Sequence, residues 1–369
     1  MQHTLILSSG FLLWGSDVVR RLCLLLCALA CAFGLLLWRA GDDVPVSAPT
    51  ASPTSAPTSA LSPERVRVCI VPSRSAAATA APTPEPPPIW LNVWNEGRVE
   101  RVELEDYLVH VVAGEMPASY EPEALRAQAV AARSYIAWKL PAYGGSGCSR
   151  GGDVCTDSEH CMAWQSEEAL RARWGDRFDE YYEKILDAVQ DTRGQVMTWN
   201  GEPIQALFHS ASGGRTEDAQ AVWGTAFPYL TSVESEGEEN EQRTVRLTAK
   251  DLASRLNAAF DGAGLTAETV KTQFVVRSRT QSGRADTVKV GKVTATGKAV
   301  RAALDLSSAN FTIDWQGSEA VLTTVGYGHG VGMSQVGANA MAQQGSTYRD
   351  ILTHYYTGVT LADLSGLGA

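Results

Sequence analysis

Hydrophobic and polar positions fall into three regimes along the chain. From Leu22 to Trp38, 17 residues carry no charge, with Arg20-Arg21 before them and Arg39 after. That length is near the minimum for a helix crossing a bilayer, and the basic pair predicts residues 1–21 in the cytoplasm and the rest outside. Ala28-Leu29-Ala30 has the form of a signal-peptide cleavage site, an alternative reading of the same run. A lipid-modified Cys31 fits its preceding residues poorly, and a buried core helix fits poorly with a Pro-rich stretch directly after it. Residues 39–88 are dominated by Pro, Ser, Thr and Ala and end in Pro82-Thr83-Pro84-Glu85-Pro86-Pro87-Pro88. Such a segment buries too little apolar surface to offset its ordering entropy, so it reads as a linker.

From residue 89 to 369 the pattern is that of a folded unit. Ile89, Leu91 and Val93 alternate with Trp90, Asn92 and Trp94, which predicts a strand. Leu104, Leu108, Val111 and Val112 then recur at helical spacing, with Glu103, Glu105 and Asp106 near the start, where carboxylates suit the helix dipole. This helix must stop at Gly114-Glu115-Met116-Pro117, because proline disfavours helix at the residue before it. A second helix opens at Pro122 and runs through Leu125, Ala129, Ala132, Ile136 and Leu140. Further helices are predicted over 180–189, 249–260, 297–304, 337–344 and 348–356. A hairpin is expected from Gln195–Trp199 and Ile204–Phe208 across Asn200-Gly201. The mixture predicts an α+β fold in a single mixed globular unit, two-lobed with a cleft.

Bulk composition changes this picture little. An apolar fraction of 44% permits a full core, and a net charge of −10 argues against a nucleic-acid-binding surface. The acidic stretch Glu234–Glu241 reads as a solvated loop. Of the seven cysteines, Cys23, Cys27 and Cys31 sit in the apolar run and Cys69 stands alone. Cys148, Cys155, His160 and Cys161 supply three thiolates and one imidazole, a full ligand set for closed tetrahedral zinc. A disulfide, Cys155–Cys161 for instance, is the competing reading in an extracytoplasmic setting. Either would fix a loop, and neither leaves an open position for chemistry.

Glu115 is the most informative acid. It sits at the negative end of a helix dipole among Val111, Val112 and Met116, so its pKa should be raised, as a general acid requires. Two loops rich in small residues could meet it: His209-Ser210-Ala211-Ser212-Gly213-Gly214, and Gly326-Tyr327-Gly328-His329-Gly330-Val331-Gly332-Met333-Ser334-Gln335. The second has four glycines in seven positions, but its spacing fits neither a Walker loop nor a dinucleotide fingerprint. No Gly-x-Ser-x-Gly elbow supports a serine hydrolase built on Ser210 or Ser334. His110 and His354 read as packing residues on their helices.

Taken in order, these stretches resemble the sporulation stage II protein D family, which includes the amidase enhancer B proteins. The matching residues are Leu104–Leu108, Gly114-Glu115-Met116-Pro117, Glu123–Tyr135, Phe208–Gly214, Gly328–Gln335 and His354-Tyr355-Tyr356. The resemblance implies a lytic transglycosylase acting on peptide-free peptidoglycan glycan strands, with Glu115 as acid and base and no cofactor in catalysis. It also implies sugar contacts from Gln128, Arg133, Ser134 and Ser210. Motif position extends these to Ser212, His329, Ser334 and Gln335. Gln128 and Arg133 are five residues apart and do not share one narrow helix face, so at least one should be structural. Some family members hold a structural zinc where Cys148, Cys155, His160 and Cys161 stand, with Cys148 replacing a histidine. Its partners would be glycan strands, the membrane through the N-terminal helix, and a cell-wall amidase; an enhancer that binds glycan without cutting it is the alternative.

Overall fold

A computed structural model describes residues 87–238 and 241–367. The expected membrane segment and all but the last residues of the linker lie outside these residues. Among the described residues no helix is long and apolar enough to cross a membrane.

The chain enters through a hairpin, β1 (Trp90–Asn95) and β2 (Arg98–Glu103), closed at Glu96-Gly97, both at positive φ. The mostly exposed, charge-rich β2 carries no apolar alternation, so only the first strand was legible in the sequence. Helix α1 (Leu104–Glu115) follows at once, its N-cap Glu103 accepting from the Glu105 and Asp106 amides. It ends as the sequence requires: Met116, before Pro117, is extended at φ −123°, ψ 139°. Helix α2 (Pro122–Lys139) starts on its proline and is buried over most of its length. Its many alanines let other elements approach from several sides. Then come β3 (Val154–Cys155), parallel to β1, and the helices α3 (Glu167–Trp174) and α4 (Phe178–Asp191). The strands β4 (Gln195–Trp199) and β5 (Glu202–Pro203) form the expected hairpin, but only over two pairs. Phe208–His209, expected to extend it, instead forms a separate strand, β6, followed by the short helix α5 (Ala219–Trp223).

Residues 242–325 build a second lobe. It contains β7 (Gln242–Thr248), α6 (Ala249–Ala259), α7 (Val270–Gln273), β8 (Phe274–Arg279), β9 (Ala285–Val290), β10 (Val293–Thr296), α8 (Gly297–Leu304), β11 (Phe311–Gln316) and β12 (Glu319–Val325). Two antiparallel three-stranded sheets, β10-β9-β8 and β11-β12-β7, enclose its own core around Leu252, Leu256, Val288, Phe311 and Leu322. The chain then returns to the first lobe through β13 (Met333–Ser334), α9 (Gln335–Gln343), α10 (Tyr348–Tyr355) and β14 (Thr360–Asp363). β13 pairs in parallel with β6, and β14 pairs antiparallel with β4. The α+β expectation holds, and the described residues carry two apolar cores.

The first lobe is tied together at Arg133, which is fully buried on α2. Its guanidinium makes a two-pronged contact with Glu105 of α1, at 2.9 Å and 2.5 Å, and also donates to the carbonyls of Val189 and Gln195. Ser134, equally buried, donates to Val130 and accepts from the Met197 amide of β4. Removing one member of a buried pair strands the other's charge, at a typical cost of about 3–5 kcal/mol. Arg133→Ala should therefore lower unfolding stability by about that amount in urea. Arg133→Met with Glu105→Leu should recover most of the loss. Equal losses in single and double variants would contradict this role for the pair.

Candidate active site

Glu115 lies where α1 stops, on the wall of a cleft of about 940 Å³. The loop Ser158–Met162 and residues of the two small-residue loops line the same cleft. One carboxylate oxygen accepts from the Ala163 amide at 2.5 Å. This needs the loop to touch the helix end, and Gly114 allows it: a Cβ there would stand 3.0 Å from the Ala163 carbonyl oxygen. The carboxyl is half-buried and burial pushes its pKa up to about 7, against a partial lowering by the Ala163 amide. The raised value matches the sequence argument, but desolvation is the main cause.

The pairing of β6 with β13 sets His209 beside Ser334 and so joins the two loops. His209 is buried. Its Nδ1 faces the Val331 carbonyl at 3.1 Å, so that nitrogen carries the proton, and Nε2 accepts from the Ser212 hydroxyl at 2.8 Å. Burial, then the charges of His329 and Arg284, hold it neutral, its pKa well below the usual histidine range. His329 reaches the cleft, accepts the Val331 amide on Nδ1 at 3.0 Å, and is pushed down to about 4 by burial and by Arg301 and Arg284. Both imidazoles are thus neutral at pH 7. Gly330 is required for this arrangement, since a Cβ there would overlap the Arg284 guanidinium at 2.2 Å.

The residues expected to contact sugar divide into two groups. Glu115, Ser210, His329 and Gln335 all line the cleft. Gln128, Arg133, Ser134, Ser212 and Ser334 are buried behind it and do not. Gln128 accepts from Gln335 Nε2 at 3.3 Å and so supports a residue at the cleft wall; its own Nε2 has no partner among the described residues. Ser212 orients His209, and Ser334 caps α9 through the Gly337 amide at 3.2 Å. The spacing argument required one of Gln128 and Arg133 to be structural; both are enclosed. Ser334 is buried, and the serine that His209 engages is Ser212, buried behind the cleft, so neither Ser210 nor Ser334 has a hydrogen bond to a histidine among the described residues. His110 packs on Trp164 and His354 on Tyr355, in line with their packing roles.

Other cleft residues were not expected to contact sugar. Trp223, outside every motif, and Tyr327, inside the Gly326–Gln335 loop, line the cleft and are 41% and 42% exposed. Glu159 adds a second, exposed carboxylate. Within the supposed solvated acidic stretch, Glu238 is only 2% exposed and accepts from the Gly213 amide at 2.7 Å, so it anchors one of the loops.

Cys148, Cys155, His160 and Cys161 come together, their ligand atoms all within 4.8 Å of one another, and the three thiols are free. His160 Nδ1 lies 3.5, 3.3 and 3.4 Å from the sulfurs of Cys148, Cys155 and Cys161. Tetrahedral zinc, with Zn–S about 2.3 Å and Zn–N about 2.05 Å, would set these separations at about 3.6 Å. The other imidazole nitrogen is 2.9 Å from Ser149 Oγ, the outer-shell partner that a ligating histidine needs. The donor set and its spacing therefore fit a metal ion.

A model of the Stage II sporulation protein family matches residues 95–199, the span holding Glu115 and the cysteine cluster. Stage II sporulation protein D of Bacillus subtilis is 35% identical over 303 residues, covering 81% of this chain and 85% of that one. Its Bacillus amyloliquefaciens counterpart is also 35% identical, covering 77% and 82%. The amidase enhancer of Bacillus subtilis is 28% identical over 68% of this chain but 39% of its own length. The chain belongs to the family of Stage II sporulation protein D and the amidase enhancers.

A carboxyl with pKa about 7 when folded and an ordinary 4.5 when unfolded has a definite pH signature. Its cost to stability is absent below about pH 4.5, grows as pH rises, and is complete above about pH 7. At 1.36 kcal/mol per unit the ceiling is about 3 kcal/mol, less the screening of a half-exposed group. Glu115→Gln should therefore gain stability over the parent at pH 8 and little at pH 4.5. A difference that does not change with pH would show that the carboxyl is not perturbed.

Proposed function

We propose that the protein is a lytic transglycosylase that cuts peptide-free glycan strands between N-acetylmuramic acid and N-acetylglucosamine. Glu115 carries this reading: a half-buried carboxyl whose pKa is pushed up to about 7, on the wall of the cleft. It would donate that proton to the glycosidic oxygen as the bond to the muramic C1 breaks. The carboxylate left behind, steadied by the Ala163 amide, would then take the C6 hydroxyl proton as that oxygen bonds to C1. The product is a 1,6-anhydro end, and Glu115 returns to its starting state. Since the sugar supplies its own nucleophile, the second carboxylate of ordinary glycosidases is not needed. Trp223 and Tyr327 offer flat faces to the sugars, and Ser210, His329 and Gln335 offer hydrogen bonds.

Zinc is the ion best suited to the three thiolates and one imidazole. It would hold the loop that carries Ala163, and a closed set of four ligands leaves it no substrate position. The anchor at Leu22–Trp38 and the linker to residue 88 would keep the cleft outside the cytoplasm, next to the membrane and within reach of its wall substrate. The sporulation relatives favour a role in spore development. The relative named amidase enhancer favours a second reading, in which the cleft binds glycan and stimulates an amidase without cutting.

Product analysis separates these readings. On peptide-free glycan the protein should release anhydro-ended fragments, with kcat/KM flat at low pH and falling about tenfold per unit above about pH 7 as Glu115 ionises. Glu115→Gln should lose activity by at least a hundredfold, roughly what a general acid contributes, while Glu159→Gln stays active. Reducing-end products with equal dependence on Glu159 would replace the lytic mechanism with a two-carboxylate hydrolase. If the parent and Glu115→Gln are both inert and stimulate an amidase equally, the enzyme reading fails.

Protein purified without chelator should contain one zinc per chain, and Cys148→Ser should lose both the metal and thermal stability. Zinc far below one equivalent, together with a mapped Cys155–Cys161 disulfide, would overturn the zinc assignment.

A further inference from the structure

Beside the cleft is a second cavity of about 310 Å³, on the side of the 242–325 lobe. Trp223, Gly328 and His329 line both, so the two share a wall at these residues. Its charge is unusual for an acidic protein. Lys298 and Arg301, three residues apart on α8, line it together with Arg284 at the start of β9. Among the described residues none of the three has a carboxylate within ion-pair distance.

Two carboxylates line the cavity as well: Glu217, buried, accepts from Thr280 and Ser282, and Asp286 accepts from Ser278, so the three cations outnumber the acids by one. Arg284 is 2% exposed, and although its terminal nitrogens hold the carbonyls of Arg215 and Ser212, its Nε has no partner. Arg301 spends only its Nε, on the Leu306 carbonyl, and Lys298 lies over the Trp223 ring. The N-terminal end of α8, at Thr296 and Gly297, opens on the same cavity with the positive end of its dipole. All three cations depress the His329 pKa, which places their field at the junction with the cleft.

We propose that this cavity is a carboxylate subsite, in which Lys298, Arg301 and Arg284 receive the free lactyl carboxylate of a muramic acid bound in the cleft. The proposal rests on the glycan reading above. In a strand that bears stem peptides, that carboxyl is tied up in a neutral amide. Once the peptide is removed it carries a negative charge. A peptide-bearing sugar would leave the three cations unpaired and its amide poorly matched, and such a mismatch excludes the wrong ligand. The site therefore distinguishes strands already processed by an amidase from those that are not.

The test uses full-length Glu115→Gln protein, so that glycan is held without being cut. It is titrated with oligomers of peptide-free glycan, and with the same oligomers after reduction of the lactyl carboxyl to an alcohol. Loss of one charge-assisted contact is worth about 1.5–3 kcal/mol, so reduction should weaken binding by about tenfold or more. Adding Lys298→Ala, an exposed position, or Arg301→Gln should weaken binding of the acid oligomer and shrink the preference, while Lys271→Ala, over Trp315 elsewhere on the lobe, should preserve it. Equal binding of acid and alcohol oligomers, or a full preference surviving in both cavity variants, would overturn the subsite alone. Binding of neither oligomer would overturn the glycan reading and the subsite together.

Discussion

The contact between the end of α1 and the loop that carries Ala163 is the constraint on which the site depends. Pro117 ends the helix at Met116, which leaves the Glu115 side chain at the cleft wall. Gly114 then lets the loop backbone come within contact distance, removing water from one side of the carboxyl and supplying one amide donor. That geometry raises the pKa and still gives the carboxylate a fixed position once it has ionised. The cysteine–histidine cluster bears on this contact directly, because Cys161 is two residues from Ala163. A loop held at its base is a better clamp on a carboxyl than a free one.

The 242–325 lobe matters because its one buried cation, Arg284, crosses to the other lobe. It grips the carbonyls of Ser212 and Arg215 and lies against Gly330. Both small-residue loops are therefore held between β6–β13 on one side and a guanidinium on the other. Glu238 adds a third restraint at the Gly213 amide. Loops of serine and glycine have little packing of their own, so their conformation is set from outside.

Some of this was plain in the sequence. A proline after Met116, a carboxyl at a helix end and four closely spaced Cys and His residues each carry local physical meaning; the helix stops before the proline, the carboxyl lies on a cleft wall, and the four side chains come together. Residues inside α2 were harder to read. In a helix crowded with alanine, a polar side chain can face a ligand or a buried partner, and only the position of Glu105 decides that Arg133 does the latter. Ser334 had the same ambiguity, resolved by its place one residue before a helix. Glu238 was hidden in a run of acids because burial of a single member leaves no periodic trace. The hairpin after Asn200-Gly201 stopped short because Phe208–His209 found a better partner in Met333–Ser334, more than a hundred residues away.

The most direct test is a titration of the Glu115 carboxyl itself, by carbon-13 NMR of glutamate-labelled protein with Glu115→Gln to assign the signal. One glutamate carboxyl should titrate near pH 7 and vanish in the variant. A Glu115 signal titrating near 4.5, like an exposed glutamate, would contradict the perturbed acid on which the mechanism rests.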